Sequence, residues 1–189
     1  MLFRSVSSSV LPDEYPLGAC TEISKNTLKF TTALDAFKDS AFNDLNTNST
    51  YKIVNRISGK ALNVSGGSHE SGAAIEQYTY YGWNSQKWKL ISSGNGYYKI
   101  MNVGSGKVLD ISKSSLQNGA SNIQSNNNNN GLNQQWKLIK TEDNYYKIQN
   151  RNSSKVLDIK ASSKDECASS IQWEDNGGWN QMWILVEVD

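Results

Sequence analysis

The chain has 189 residues, enough for one substantial core with an extension. Nineteen basic residues against eighteen acidic ones leave a net charge of +1, so there is no clustered positive field for nucleic acid or anionic lipid. No apolar run approaches the length that crosses a bilayer, which excludes membrane insertion by a helix. Met1 to Val10 carries Arg4 but no sustained apolar stretch, and no signal peptide is expected there. Residues 1–50 align with nothing later in the chain. Within them Leu28-Lys29-Phe30 fits a short strand. Leu34, Phe37, Ala41 and Leu45 share one side of a short helix that would be marginal standing alone. Asn46 to Thr50 reads as a polar linker, so residues 1–50 are expected to be an extension or the remnant of another module.

From Tyr51 onward the sequence repeats itself three times, over about 51–97, 98–145 and 146–188. The copies open on Tyr51-Lys52-Ile53, Tyr98-Lys99-Ile100 and Tyr146-Lys147-Ile148. They continue to Lys60-Ala61-Leu62-Asn63, Lys107-Val108-Leu109-Asp110 and Lys155-Val156-Leu157-Asp158. Each closes on Gln-x-Trp, with Trp88, Trp136 and Trp183 spaced 48 and 47 residues apart. Tyr-Lys-Ile and Trp88-Lys89-Leu90 alternate apolar and polar side chains with the period of two of a half-buried strand. Glycines such as Gly59, Gly66, Gly94 and Gly106 fall between these runs and mark turns. Short strands, frequent turns and threefold repetition predict a closed antiparallel all-β structure, in which no sheet edge is left exposed.

Three in-register copies ending in Gln-x-Trp resemble the ricin B-chain-type β-trefoil, a family of lectins and carbohydrate-binding modules. The resemblance covers residues 51–189, about three quarters of the chain. It implies three pseudo-symmetric four-stranded repeats, a six-stranded barrel capped by three hairpins, and one potential sugar site per repeat. It further implies that Trp88, Trp136 and Trp183 pack in the core while the adjoining Gln side chains support the backbone. Sugar contact would come from the Asp of Lys-x-Leu-Asp, an aromatic residue about fifteen positions on, and an Asn before Gln-x-Trp. The physical need is plain: a charged acceptor for hydroxyl donors and a ring face for the sugar's C–H face.

Repeat 3 carries all three parts in Asp158, Trp173 and Asn180. Repeat 1 keeps the spacing with Asn63 and Tyr78, but Ser85 stands in place of the Asn, and Tyr80, Tyr81 and Trp83 crowd the same loop. Repeat 2 keeps Asp110 and Asn133. Counting ten residues back from Trp136 reaches Asn126, at the head of the amide tract Asn126 to Asn130, so its ring is missing. The expected order of strength is repeat 3, repeat 1, repeat 2. Single shallow sites of this type bind at roughly millimolar to high micromolar, about −4 to −6 kcal/mol, and gain useful affinity by engaging two sites on one polymer.

Catalytic chemistry finds no foothold in the pattern. His69 has no Cys or His partner at ligand spacing, and the acid pairs Asp165-Glu166 and Glu174-Asp175 read as solvated turns. Cys20 and Cys167 show no metal spacing; two free thiols or one long-range disulfide both remain open. The expectation is a non-enzymatic binder of mono-, oligo- or polysaccharides of galactose or xylan type, needing no cofactor or metal. Two rivals stand beside it: a targeting module left from a secreted glycoside hydrolase, with a catalytic or toxin partner module, and a protein-binding β-trefoil such as a protease inhibitor or toxin subunit. The resemblance implies an extracellular protein, although the N-terminus supplies no export signal.

Overall fold

In this computed structural model the chain divides into Met1–Asp44 and Leu45–Asp189, and the structure describes residues 45–188. The strand expected at Leu28–Phe30, most of the helix expected up to Leu45, and Cys20 lie outside the described residues.

Each repeat folds into four short strands. They are β1 (Thr50–Asn55), β2 (Ala61–Val64), β3 (Ile75–Tyr78) and β4 (Trp88–Ser92) in repeat 1. Repeat 2 supplies β5 (Tyr97–Asn102), β6 (Val108–Ile111), β7 (Asn122–Ser125) and β8 (Trp136–Lys140). Repeat 3 supplies β9 (Tyr146–Asn150), β10 (Val156–Ile159), β11 (Ser170–Trp173) and β12 (Trp183–Val188). No α-helix occurs among the described residues.

The first and last strands of the repeats close a ring. β1 pairs with β4, β4 with β5, β5 with β8, β8 with β9, β9 with β12, and β12 returns to β1, all antiparallel. The inner strands form the hairpins β2–β3, β6–β7 and β10–β11. Single bridges Ala74–Ile123, Ser121–Ile171 and Glu76–Ser169 join these hairpins pairwise, so they close one end together. This is the β-trefoil, and its six-stranded ring leaves no unpaired barrel edge.

The alternating pattern read from the sequence explains the core. Tyr51, Ile53, Ile100, Ile148, Leu62, Leu109 and Leu157 are buried, and Trp88, Trp136 and Trp183 are fully enclosed. Each tryptophan also donates its indole N–H at 3.0 Å to the carbonyl of the leucine one strand away, Leu62, Leu109 or Leu157. A large buried ring with its polar edge satisfied is the stable way to place Trp in a core.

A set of buried glutamines, which sequence reading passed over, ties the repeats together. Gln77, Gln124 and Gln172 are fully buried. Each accepts from a serine of its own repeat: Ser58 at 2.7 Å, Ser105 at 2.6 Å and Ser153 at 2.6 Å. Each then donates to two carbonyls of a neighbouring repeat. Gln77 reaches Ser163 and Asp165, Gln124 reaches Ser68 and Glu70, and Gln172 reaches Ser115 and Gln117. The signal was present, since all three glutamines lie fourteen residues after Asn63, Asp110 and Asp158. Replacing Gln172 by Leu strips two loop carbonyls and the Ser153 hydroxyl of their partner, and is expected to cost about 1–3 kcal/mol. Urea unfolding of the variant checks this; an unchanged midpoint would show that the loops do not depend on the bond.

Candidate functional site

The potential sugar sites sit where each hairpin meets the turn that carries Gln-x-Trp. The turn is held by the Gln side chain. Gln86, Gln134 and Gln181 are buried, and their Nε2 atoms donate to the carbonyls of Thr79, Asn126 and Glu174 at 2.7, 2.9 and 2.8 Å. Their Oε1 atoms accept from the backbone N–H of Tyr81, Asn128 and Asn176 at 2.8, 2.8 and 3.0 Å. The Gln-x-Trp motif is therefore structural: tryptophan fills the core and glutamine shapes the loop beside the site.

A lysine clamps the same loop from the barrel. Lys52 lies over the Tyr80 ring at 4.8 Å, Lys147 pairs with Asp175 at 2.7 Å, and buried Lys99 donates to Asn127 and to the Asn128 carbonyl. Burial pushes the Lys99 amine below the ordinary lysine range. All three contacts span 28 residues, so a single position of the repeat serves loops of three different compositions.

In repeat 3 the structure brings Asp158, Trp173 and Asn180 together around one cleft of about 540 Å3, with Lys160, Ile171 and Asn176 beside them. Trp173, at the end of β11, is 40% exposed and offers its ring to solvent. Gly119 of repeat 2 lies beneath it, where an added Cβ would meet the indole at 3.6 Å. Asp158 is buried and accepts from Gln181 Nε2 at 2.9 Å. Burial raises its carboxyl above the ordinary aspartate range, while hydrogen bonds from Gln181 and Asn180 pull the other way. Asn180 also donates to the Ile159 carbonyl at 3.1 Å, so its amide is oriented before any ligand arrives. Gly178 makes room for it, because a Cβ there would collide with the Asn180 side-chain oxygen.

Repeat 2 keeps the acid and loses the platform. Asp110 accepts from Asn133 and, at 2.8 Å, from Gln134. The strand register pairs Val108 with Ser125 as it pairs Val156 with Trp173 and Ala61 with Tyr78. The ring position is therefore Ser125, and the count that reached Asn126 needs correction. The loop between Ser125 and Trp136 carries one residue more than its counterparts, which shifts a count made from the tryptophan.

In repeat 1 the position of the Asp is held by Asn63. Its amide Nδ2 donates at 3.0 Å to Glu76, which stands directly across the hairpin from it. Both are buried, and Asn63 Oδ1 has no partner. They line a cleft of about 610 Å3 with Tyr78, Trp83, Ser85, His69 and Cys167. Tyr81 and Trp83 stack at 4.9 Å, and Tyr78 lies 5.9 Å from Trp83. Cys167 is an exposed thiol, raised above its ordinary range by desolvation and by Glu76 and Glu166. Its loop is pinned to repeat 1 by Glu166, which accepts from the Thr79 N–H and hydroxyl and from Lys60 at 2.9 Å. Those bonds, from Thr79 first and Lys60 next, hold the Glu166 carboxyl down at about 2.

The family model for a ricin-type beta-trefoil lectin domain-like fold matches residues 40–125 and 132–189. The chain belongs to this family. Among solved structures it is similar to ThreeFoil, a designed threefold-symmetric protein, at 44% identity over 74% of this chain and 99% of that one, with a TM-score of 0.72. It is equally similar to an exo-beta-1,3-galactanase from Clostridium thermocellum, at 44% identity over 74% of this chain but only 30% of that one, again with a TM-score of 0.72. The Macrolepiota procera ricin B-like lectin, solved with lactose, shares the fold at 20% identity over 76% of this chain and 98% of that one, with a TM-score of 0.65. No curated protein matches the chain. As a ricin B-type trefoil the chain has the fold of a family of lectin-like domains.

Proposed function

We propose that this protein is a non-catalytic carbohydrate binder that takes galactose-type glycans through the cleft of repeat 3, with repeat 1 as a second site and repeat 2 weak or silent. The observation that carries this is the convergence of Asp158, Trp173 and Asn180 on one cleft. The buried carboxylate supplies a strong acceptor for two neighbouring hydroxyls, the exposed indole supplies the face against which a pyranose ring stacks, and the fixed amide adds directional polar contacts. Similar structures were solved as an exo-beta-1,3-galactanase and as complexes with lactose and GalNAc. This is the support for ranking galactose-type ligands ahead of xylan-type ones. The share of the galactanase chain that is matched favours a targeting role beside a catalytic module as the second reading.

The test is a glycan and polysaccharide array with wild type beside Trp173→Ala. Wild type should bind galactosides, and the variant should lose most of that signal while melting within a few degrees of wild type, because Trp173 is not part of the core. A folded wild type that binds no sugar would remove the lectin reading and turn the search to a protein partner.

The raised Asp158 carboxyl predicts an acid limit to binding. An acid whose folded pKa is raised takes up its proton at a higher pH than a free aspartate, near 4, and then loses its charge as an acceptor. Affinity at repeat 3 should therefore begin to fall above that range as pH drops. The same sign means that Asp158 does not stabilise the fold at neutral pH: the native state holds its proton more tightly than the unfolded chain does. Calorimetric titration with a galactoside between pH 7 and pH 4 reads the first effect; constant affinity across that range would show that the carboxylate is not the acceptor.

A further inference from the structure

Repeat 1 departs from its two sisters at several positions together. Asn63 stands where they have Asp110 and Asp158, and Glu76 stands where they have Ile123 and Ile171. Ser85 replaces Asn133 and Asn180, and Trp83 replaces Gly131 and Gly178. These changes fit one another. A Cβ at Gly178 would collide with Asn180 and one at Gly131 would crowd Asn133, whereas the short Ser85 leaves room for Trp83. The carboxylate has moved one strand over, from β2 to β3, and the glycine that stood open has become an aromatic wall.

The electrostatics changed as well. In repeat 3 the acid shares its cleft with Lys160, whereas no lysine or arginine lines the cleft of repeat 1. Asp158 is held by two amides, but Glu76 receives one, from Asn63. No cation among the described residues pairs with it. Glu76 is only 9% exposed, and a carboxylate withdrawn from water without a counter-charge is costly. The neighbouring Asn63 Oδ1 is a further buried acceptor with no donor. Ser65, His69, Asn84 and Ser85 add to the polar lining around Asn63 and Glu76, with no lysine or arginine among them. Tyr78 and Trp83 line the cleft, with Tyr81 stacked on Trp83, and aromatic faces attract cations.

We propose that the cleft of repeat 1 recognises an amino sugar with a free, protonated amine, with Glu76 as its counter-charge and Tyr78 and Trp83 as its stacking walls. This rests on the carbohydrate reading of the fold and gives two sites of one molecule different ligands: Lys160 disfavours an ammonium group in repeat 3, and Ser65 takes the corresponding place in repeat 1.

Calorimetric titration of Trp173→Ala protein, in which repeat 3 is silenced, compares D-galactosamine, D-galactose and N-acetylgalactosamine at neutral pH. Galactosamine should bind at least fivefold tighter than galactose. N-acetylgalactosamine, whose amide carries no charge, should show no such gain. Adding Glu76→Gln should abolish the preference with little change in melting temperature, since the amide still meets Asn63. Equal binding of the two hexoses, or a preference that survives Glu76→Gln, would overturn the assignment while leaving repeat 3 and the lectin reading intact. If wild type binds no sugar at any repeat, the carbohydrate reading itself has failed, and this assignment falls with it.

Discussion

Asp158→Asn should lower the affinity of repeat 3 for its sugar by about ten- to a hundredfold. Hydrogen bonds to a charged acceptor contribute about 1.5–3 kcal/mol, and each 1.4 kcal/mol is roughly a factor of ten in affinity. Asparagine is the informative replacement because Asp158 has a second duty: it accepts from Gln181 Nε2 at 2.9 Å. An alanine would leave that buried donor unpaired and mix a loss of loop order into the binding result. Asparagine keeps an oxygen for Gln181 and removes only the charge. The matching change at Asp110 serves as a control. That residue is bound in the same way, by Asn133 and Gln134, but its repeat carries Ser125 rather than a ring at the platform position. Asp110→Asn should leave overall sugar binding unchanged. Titration calorimetry on both variants decides the matter, and equal losses at the two positions would mean that the platform is not what separates the repeats.

What sequence could and could not supply follows from the same positions. Three copies of one pattern revealed the period, the strands and the core tryptophans, because each structural duty was written three times. That Asp158, Trp173 and Asn180 share one cleft was legible because they lie at fixed offsets along the chain. Glu76 was missed because it acts through its partner across a hairpin, thirteen residues from Asn63. An apolar position in two repeats gives no reason to look for an acid in the third. The clue lay in aligning Glu76 with Ile123 and Ile171 and asking why one copy broke an apolar pattern. The missing ring was placed at Asn126 rather than Ser125 for a simpler reason: a one-residue insertion in a loop moves a linear count, whereas strand register carries the insertion without shifting Ser125. The glutamines Gln77, Gln124 and Gln172 repeat as faithfully as the tryptophans, yet the carbonyls they hold belong to neighbouring repeats, which periodicity within one repeat does not show.

The largest expected loss of stability comes from the core tryptophans. Trp136→Ala removes a fully enclosed ring and should destabilise the fold by about 3–5 kcal/mol, the usual cost of truncating a buried large aromatic. The Leu109 carbonyl, which accepts its indole N–H at 3.0 Å, loses its donor as well. Against a typical total of about 5–15 kcal/mol, this single change removes a large part of what holds such a domain folded. Trp88 and Trp183 occupy equivalent places, each donating at 3.0 Å to the matching leucine carbonyl, so their alanine variants should lose comparable amounts. Trp→Phe at any of the three retains most of the apolar volume and forfeits the hydrogen bond, and should cost distinctly less. These phenylalanine variants should still bind sugar, because the rings lie in the core and the clefts are lined by other residues. Chemical unfolding of the six variants, with sugar titration of those that remain folded, reads both effects. A phenylalanine variant that kept its stability but lost binding would move the Gln-x-Trp tryptophans from scaffold to recognition, and a much smaller loss at one alanine variant would show that the threefold core is not energetically threefold.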